Sequence, residues 1–139
     1  MGLRLTYVND NHGVIGTASG ELTGMELIDA VRRVNAFAVT TDAFCYTFFD
    51  FDTVNRISIS IGDIATAADC AIEAAKLRDT ERIVAIFANG EFSYRLALVY
   101  MTFIEETGWE AWVFRNRGEA ISWLRGRAAL KHGIIVGAL

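Results

Sequence analysis

The sequence predicts a mixed α/β domain: an opening β-hairpin, then strands alternating with helices, giving a mixed, mostly parallel sheet with four helices. Three observations predict it. Phe44–Phe51 and Ile83–Ala88 are short runs apolar on both pleat faces, as expected of central strands covered on both sides. Segments with apolar residues at helical spacing separate such runs. Thr23 with Glu26, Ser60 with Asp63 and Asn116 with Glu119 each set a capping side chain three residues before an acid.

At 139 residues the chain suits one domain with a real core, and 53% of it is hydrophobic. The apolar residues fall in blocks well short of the ~20 needed to cross a membrane. The first ten residues, MGLRLTYVND, lack the apolar core and cleavage site of a secretion signal. A net charge of −4 argues against a nucleic-acid groove, which needs clustered Lys and Arg. Cys45 and Cys70 have no CxxC partner and read as reduced, buried thiols of a cytoplasmic protein. No metal or cofactor motif is present.

In order, Leu3, Leu5 and Tyr7 alternate with Arg4 and Thr6 as a half-buried strand. Asn9–Gly13 is turn chemistry, and Val14, Ile15 and Ala18 return as the second strand of a hairpin. His12 sits in that turn, and His132 at the other end of the chain. Ser19–Leu22 reads as a loop. The Thr23 cap starts a helix with Leu27, Ile28, Val31 and Val34 on its apolar face, ending near Ala36.

The central aromatic strand follows, with Phe44, Tyr46 and Phe48 assigned to one face and Cys45, Phe49 and Phe51 to the other. It ends at Asp50 and Asp52. A loop then reaches Ser60, the cap of a helix whose buried face is Ile61, Ile64, Ala65, Ala68, Ile72 and Ala75. Arg78–Glu81 reads as a polar turn before the strand Ile83–Ala88. Asn89-Gly90 opens a helix carrying Phe92, Leu96, Val99, Tyr100 and Phe103, which stops at Thr107-Gly108. Trp109–Phe114 is the last strand, and Ala120, Trp123 and Leu124 face inward from a short helix. The domain is expected to span 1–126. Residues 127–139 form an apolar tail, read as an edge strand or a contact with a second copy.

Phe48-Phe49-Asp50-Phe51, Ile83–Phe87, Tyr94–Ala97 and the ending Val113-Phe114-Arg115, Glu119-Ala120, Trp123-Leu124 resemble the SpoIIAA-like branch of the STAS families. The resemblance spans Leu3 to Leu124 and implies the STAS (SpoIIAA-like) fold. It also implies a regulatory role: in the anti-sigma-factor antagonists of that branch, a serine at the start of the helix after the central strand is phosphorylated by a partner kinase. The matching position is Ser60, or Ser58 if the loop is shifted. The antagonists carry Asp-Ser-Ser-Gly there, whereas this chain has Ser58-Ile59-Ser60-Ile61, without the flanking acid and the small glycine.

The candidate surface for a protein partner, a second copy or a ligand is therefore the loop and helix start holding Asp52, Asn55, Arg56, Ser58, Ser60 and Asp63. Two other readings attach to the chain. Asp50-Phe51-Asp52-Thr53-Val54 imitates the DxDxT motif of Mg²⁺-dependent aspartyl phosphatases, in which the first Asp attacks phosphorus and the second moves a proton. The lysine and the later acidic pair of that chemistry are not found at strand ends. Related folds of the Sec14 type carry lipids, and nine Phe with three Trp and four Tyr would suit an apolar ligand as well as a compact core.

Overall fold

A computed structural model describes residues 2–78 and 81–139. The polar turn expected at 78–81 lies partly outside them. The elements are β1 (Leu3–Val8), β2 (Gly13–Thr23), α1 (Gly24–Thr40), β3 (Tyr46–Ser58), α2 (Ile61–Leu77), β4 (Ile83–Phe87), α3 (Glu91–Phe103), β5 (Glu110–Phe114) and α4 (Arg117–His132), with a 3₁₀ turn at Glu105–Thr107. The sheet order is β1-β2-β3-β4-β5. β1 and β2 pair antiparallel and every other pair is parallel. The expected mixed sheet with four helices is therefore what the chain forms.

The hairpin turn works because Asn9, Asp10 and Asn11 all take positive φ (57°, 52° and 67°), which Asn and Asp tolerate best after glycine. Each β-α-β unit then moves one place along the sheet in the same direction. Right-handed crossovers put α1, α2 and α3 on one face together. Phe49, Val84, Ile86 and Val113 point to those helices. Tyr46, Phe48, Ile83, Ala85 and Phe87 point the other way, toward Ala120, Leu124 and Ala128 of α4.

Three expectations need correction. Phe44 and Cys45 precede the strand, so its alternation does not govern them. The N–H groups of Cys45 and Tyr46 both donate to the His12 carbonyl. Phe44 turns into a corner with Val14, Val34 and Ala38, and Cys45 packs beside Tyr46. Burial pushes the Cys45 thiol up to about 11, which keeps it protonated.

The second correction concerns the two segments read as loops. Ser19–Leu22 and Asp52–Ser58 pair with each other as strand, with register shifts after Thr17 and Gly20. β4 leaves β3 at Asp50, so from Phe51 onward β3 keeps only β2 as a partner. Turn-forming residues in both segments hid a two-stranded ribbon that neither segment could form alone. Thr53 ties it at the bulge, where its hydroxyl donates to the Ala18 carbonyl at 2.9 Å.

Third, α1 runs on to Thr40 and α4 to His132, through the 126/127 boundary drawn from sequence. Gly133, in the left-handed region (φ 63°), stops α4. The remaining tail forms no strand. It lies on the α4 side of the sheet, with Val136 buried against the Tyr46–Phe48 cluster and the Ile135 carbonyl accepting from the Asn9 amide at 3.1 Å. His12 and His132, at opposite ends of the sequence, line one surface cleft where the end of α4 comes near the β1–β2 turn.

α4 is fastened to β5 by charge. Glu110 accepts from Nε and Nη2 of Arg127 at 2.6 and 2.8 Å and pairs with Lys131 at 2.6 Å. The Arg127 hydrogen bonds, then Lys131, pull the Glu110 carboxyl down to about 2. A carboxyl depressed in the folded state stabilises the fold above its ordinary value and loses that contribution as pH falls toward the folded value. Glu110→Gln should cost about 1 kcal/mol at pH 7. In urea titrations, its gap from the parent should stay constant down to about pH 5 and close by about pH 2.

Candidate functional site

The carboxyl ends of β2, β3 and β4 and the amino ends of α1, α2 and α3 meet at one end of the sheet. In open α/β sheets this is where sites tend to form. Here two helix starts are built alike. Thr23 and Ser60 each cap a helix and accept from the N–H three residues on, and the acid at that position accepts from the cap's own N–H. For Ser60 the two bonds are 3.0 Å to its hydroxyl and 2.9 Å from its N–H to the Asp63 carboxylate. Ser60→Ala should therefore destabilise the fold by about 1 kcal/mol, read by thermal or urea denaturation. Gly24 lets the two starts approach, since a Cβ there would overlap the Asp63 carboxylate.

The candidate residues lie along one continuous path. Asp52, Asn55, Arg56 and Ser58 are exposed on the ribbon, Ser60 is exposed at the helix cap, and Asp63 is half-buried behind it. Arg56 pairs with Glu21 across the ribbon at 3.6 Å, in a solvated position. The expected loop is thus a strand. It presents these side chains on a paired backbone.

Asp50 is differently placed. Its carboxylate is mostly covered, accepts from Arg117 Nε at 3.0 Å, and takes the Asp52 N–H at 3.0 Å. Both of its oxygens are engaged, one joining β3 to the first turn of α4 and the other holding the Asp52 N–H within β3. Among the described residues no group of three His, Cys, Asp or Glu side chains is placed to hold a metal ion.

Sequence reasoning missed the apolar part of this surface. Ile61 and Phe92 were assigned inward-facing roles by helical spacing, yet they are 53% and 54% exposed. Each belongs to the first turn of its helix, beyond the edge of the sheet, where periodicity no longer implies a covering layer. Met25, in the first turn of α1, is 82% exposed. A large apolar residue one or two places after each cap was the available signal. Beneath them, Leu22, Phe51, Val54, Ile57 and Ile59 close over a wholly apolar cavity of about 40 Å³ that reaches down to Leu96 and Tyr100.

No protein-family model matches the chain, and neither does any curated protein sequence. Two solved structures are similar. One is an uncharacterized protein of the DUF3478 family with a SpoIIAA-like fold from Shewanella loihica PV-4, 18% identical, with 88% of this chain and 91% of that one covered and a TM-score of 0.52. The other is the anti-sigma factor antagonist SpoIIAA in its unphosphorylated form, 15% identical over 89% of this chain and 98% of that one, with a TM-score of 0.49. The chain has a SpoIIAA-like fold. No described helix is long and apolar enough to cross a membrane.

Proposed function

We propose that this domain is a binding module without catalytic chemistry, docking a protein partner on the surface formed by the β2–β3 ribbon and the first turns of α1, α2 and α3. The observation that carries the reading is the placement of Met25, Ile61 and Phe92, each at least half exposed, at one end of the sheet beside a ribbon rich in polar side chains. An apolar centre with a polar rim is the usual anatomy of a protein interface. Asp52, Asn55, Arg56 and Ser58 supply that rim. The engagement of Asp50 by Arg117 and by the Asp52 N–H supports reading this end of the sheet as a binding surface.

A second copy of the chain is the alternative occupant, through this surface or the 133–139 segment. Ser60 and Ser58 are the hydroxyls that a partner kinase would modify by the resemblance described above. On Ser60 a phosphate would displace the cap bond and face the Asp63 carboxylate. Ser58 is exposed and makes no side-chain hydrogen bond among the described residues, so regulation by charge is better placed there.

A photo-crosslinking residue at position 92, compared with one at Trp112 on the far sheet edge, tests the proposal in the native host. Adducts with a distinct protein from position 92 and none from position 112 support it. Adducts only with another copy assign the surface to self-association. Equal labelling from both positions contradicts a specific surface.

A further inference from the structure

Two cavities adjoin inside the α1–α3 layer. The larger is the apolar one of about 40 Å³ beneath the ribbon. The smaller, about 10 Å³, lies deeper, and Val31, Phe49 and Tyr100 line both. Arg82 forms part of the inner wall and is only 5% exposed. Its guanidinium lies 3.7 Å from the centre of the Trp109 ring, and Nη1 donates to the Asn35 amide oxygen at 2.6 Å. Among the described residues Nε has no hydrogen-bond partner and no carboxylate pairs with the guanidinium.

An unpaired buried guanidinium is a costly feature, because buried charges are ordinarily matched by an opposite charge. Burial lowers Arg82 to about 10, so it remains a cation at neutral pH. The cation–π contacts with Trp109 and, at 5.2 Å, Phe44 and the single bond to Asn35 offset only part of that cost.

We propose that the two cavities together bind a short aliphatic monocarboxylate, its carboxylate on Arg82 and its chain in the apolar cavity under the ribbon. Each alternative leaves one half of the site unused. A neutral apolar molecule leaves the guanidinium unpaired. A halide on Arg82 leaves the apolar chamber empty. A carboxylate matches the planar fork of arginine, and an aliphatic chain matches walls with no polar surface.

The room present is smaller than the roughly 150 Å³ that accepts benzene, so entry needs the roof to move. The roof is the element suited to that: beyond Asp50, β3 has no β4 partner and Val54 and Ile57 hang from the two-stranded ribbon alone.

Calorimetric titration with octanoate, 1-octanol and bromide, at constant ionic strength, tests the assignment. Tryptophan emission provides a second readout through Trp109. The expected result is saturable one-to-one binding of octanoate, with 1-octanol at least tenfold weaker and bromide without effect. Arg82→Met should bring octanoate down to the level of 1-octanol while leaving 1-octanol binding in place, and Arg82→Lys should recover part of the preference. If the Met variant fails to fold, the comparison of acid with alcohol on the unmodified protein still decides. Equal binding of the two, bromide acting as well as octanoate, or no saturable binding of octanoate overturns the proposal.

Discussion

Phe48→Ala is expected to lower the unfolding free energy by about 3–5 kcal/mol, the largest loss for any single side chain considered. Phe48 is fully buried in the middle strand of five. It stands opposite Ile15 on β2 and Ala85 on β4, so small Ala85 leaves the room that the ring fills. Leu124 and Ala128 of α4 belong to the same buried cluster. Removing the ring leaves a hole between the sheet and α4, over a floor of paired strands that cannot rise to close it. A drop of that size should lower the melting temperature by on the order of 10–20 °C. Phe48→Leu keeps most of the volume and should cost under about 1.5 kcal/mol. Urea denaturation at pH 7 reads both; a loss under about 1 kcal/mol for the alanine variant would mean that α4 does not seal this face.

Ile61→Asp combined with Phe92→Asp is expected to weaken partner docking by about a hundredfold or more, while leaving stability within about 0.5 kcal/mol of the parent. The two residues are half exposed and occupy the first turns of α2 and α3. An acid in a first helical turn interacts favourably with the helix dipole, so folding loses little. Docking loses much more, since each substitution puts a charge into the desolvated centre of the contact. Equilibrium binding to the crosslinked partner, with a melting curve as control, separates the two effects. The matched substitution Trp112→Asp should leave binding unchanged.

The sheet and helices were legible because their signals are local. Ile83–Phe87 is apolar at every position, and it is buried at every position. The capping boxes at Thr23 and Ser60 mark helix starts to the residue. What escaped reading depends on partners distant in sequence. Ser19–Leu22 and Asp52–Ser58 carry turn residues and become strand only by pairing with each other. Phe44 leaves the strand's alternation because the His12 carbonyl holds the backbone just before β3 begins. Arg82 sits beside an apolar strand where sequence suggests the end of a polar turn, and only the packing of Asn35 and Trp109 shows that it is buried.

The polar residues from Asp52 to Asp63 stand out in the sequence as a candidate surface because carboxylates and a helix cap occur together, and the structure exposes most of them along β3 and the start of α2. The apolar half of that surface was misassigned. Helical spacing puts Ile61 on the same stripe as Ile64 and Ala68, but the layer that buries Ile64 stops short of Ile61. The cluster first suggests phosphoryl chemistry. Its geometry instead ties Asp50 to Arg117 and spends the Ser60 and Asp63 side chains on a helix cap.

Amide hydrogen exchange on the isolated domain and on its complex with the captured partner tests the docking surface most directly. Docking on this surface predicts slowed exchange confined to residues 52–64, 24–28 and 91–95, with 110–114 and the body of α4 unchanged. Protection centred on the β5 edge or on the 133–139 segment, with the ribbon and the three helix starts exchanging as before, would contradict it.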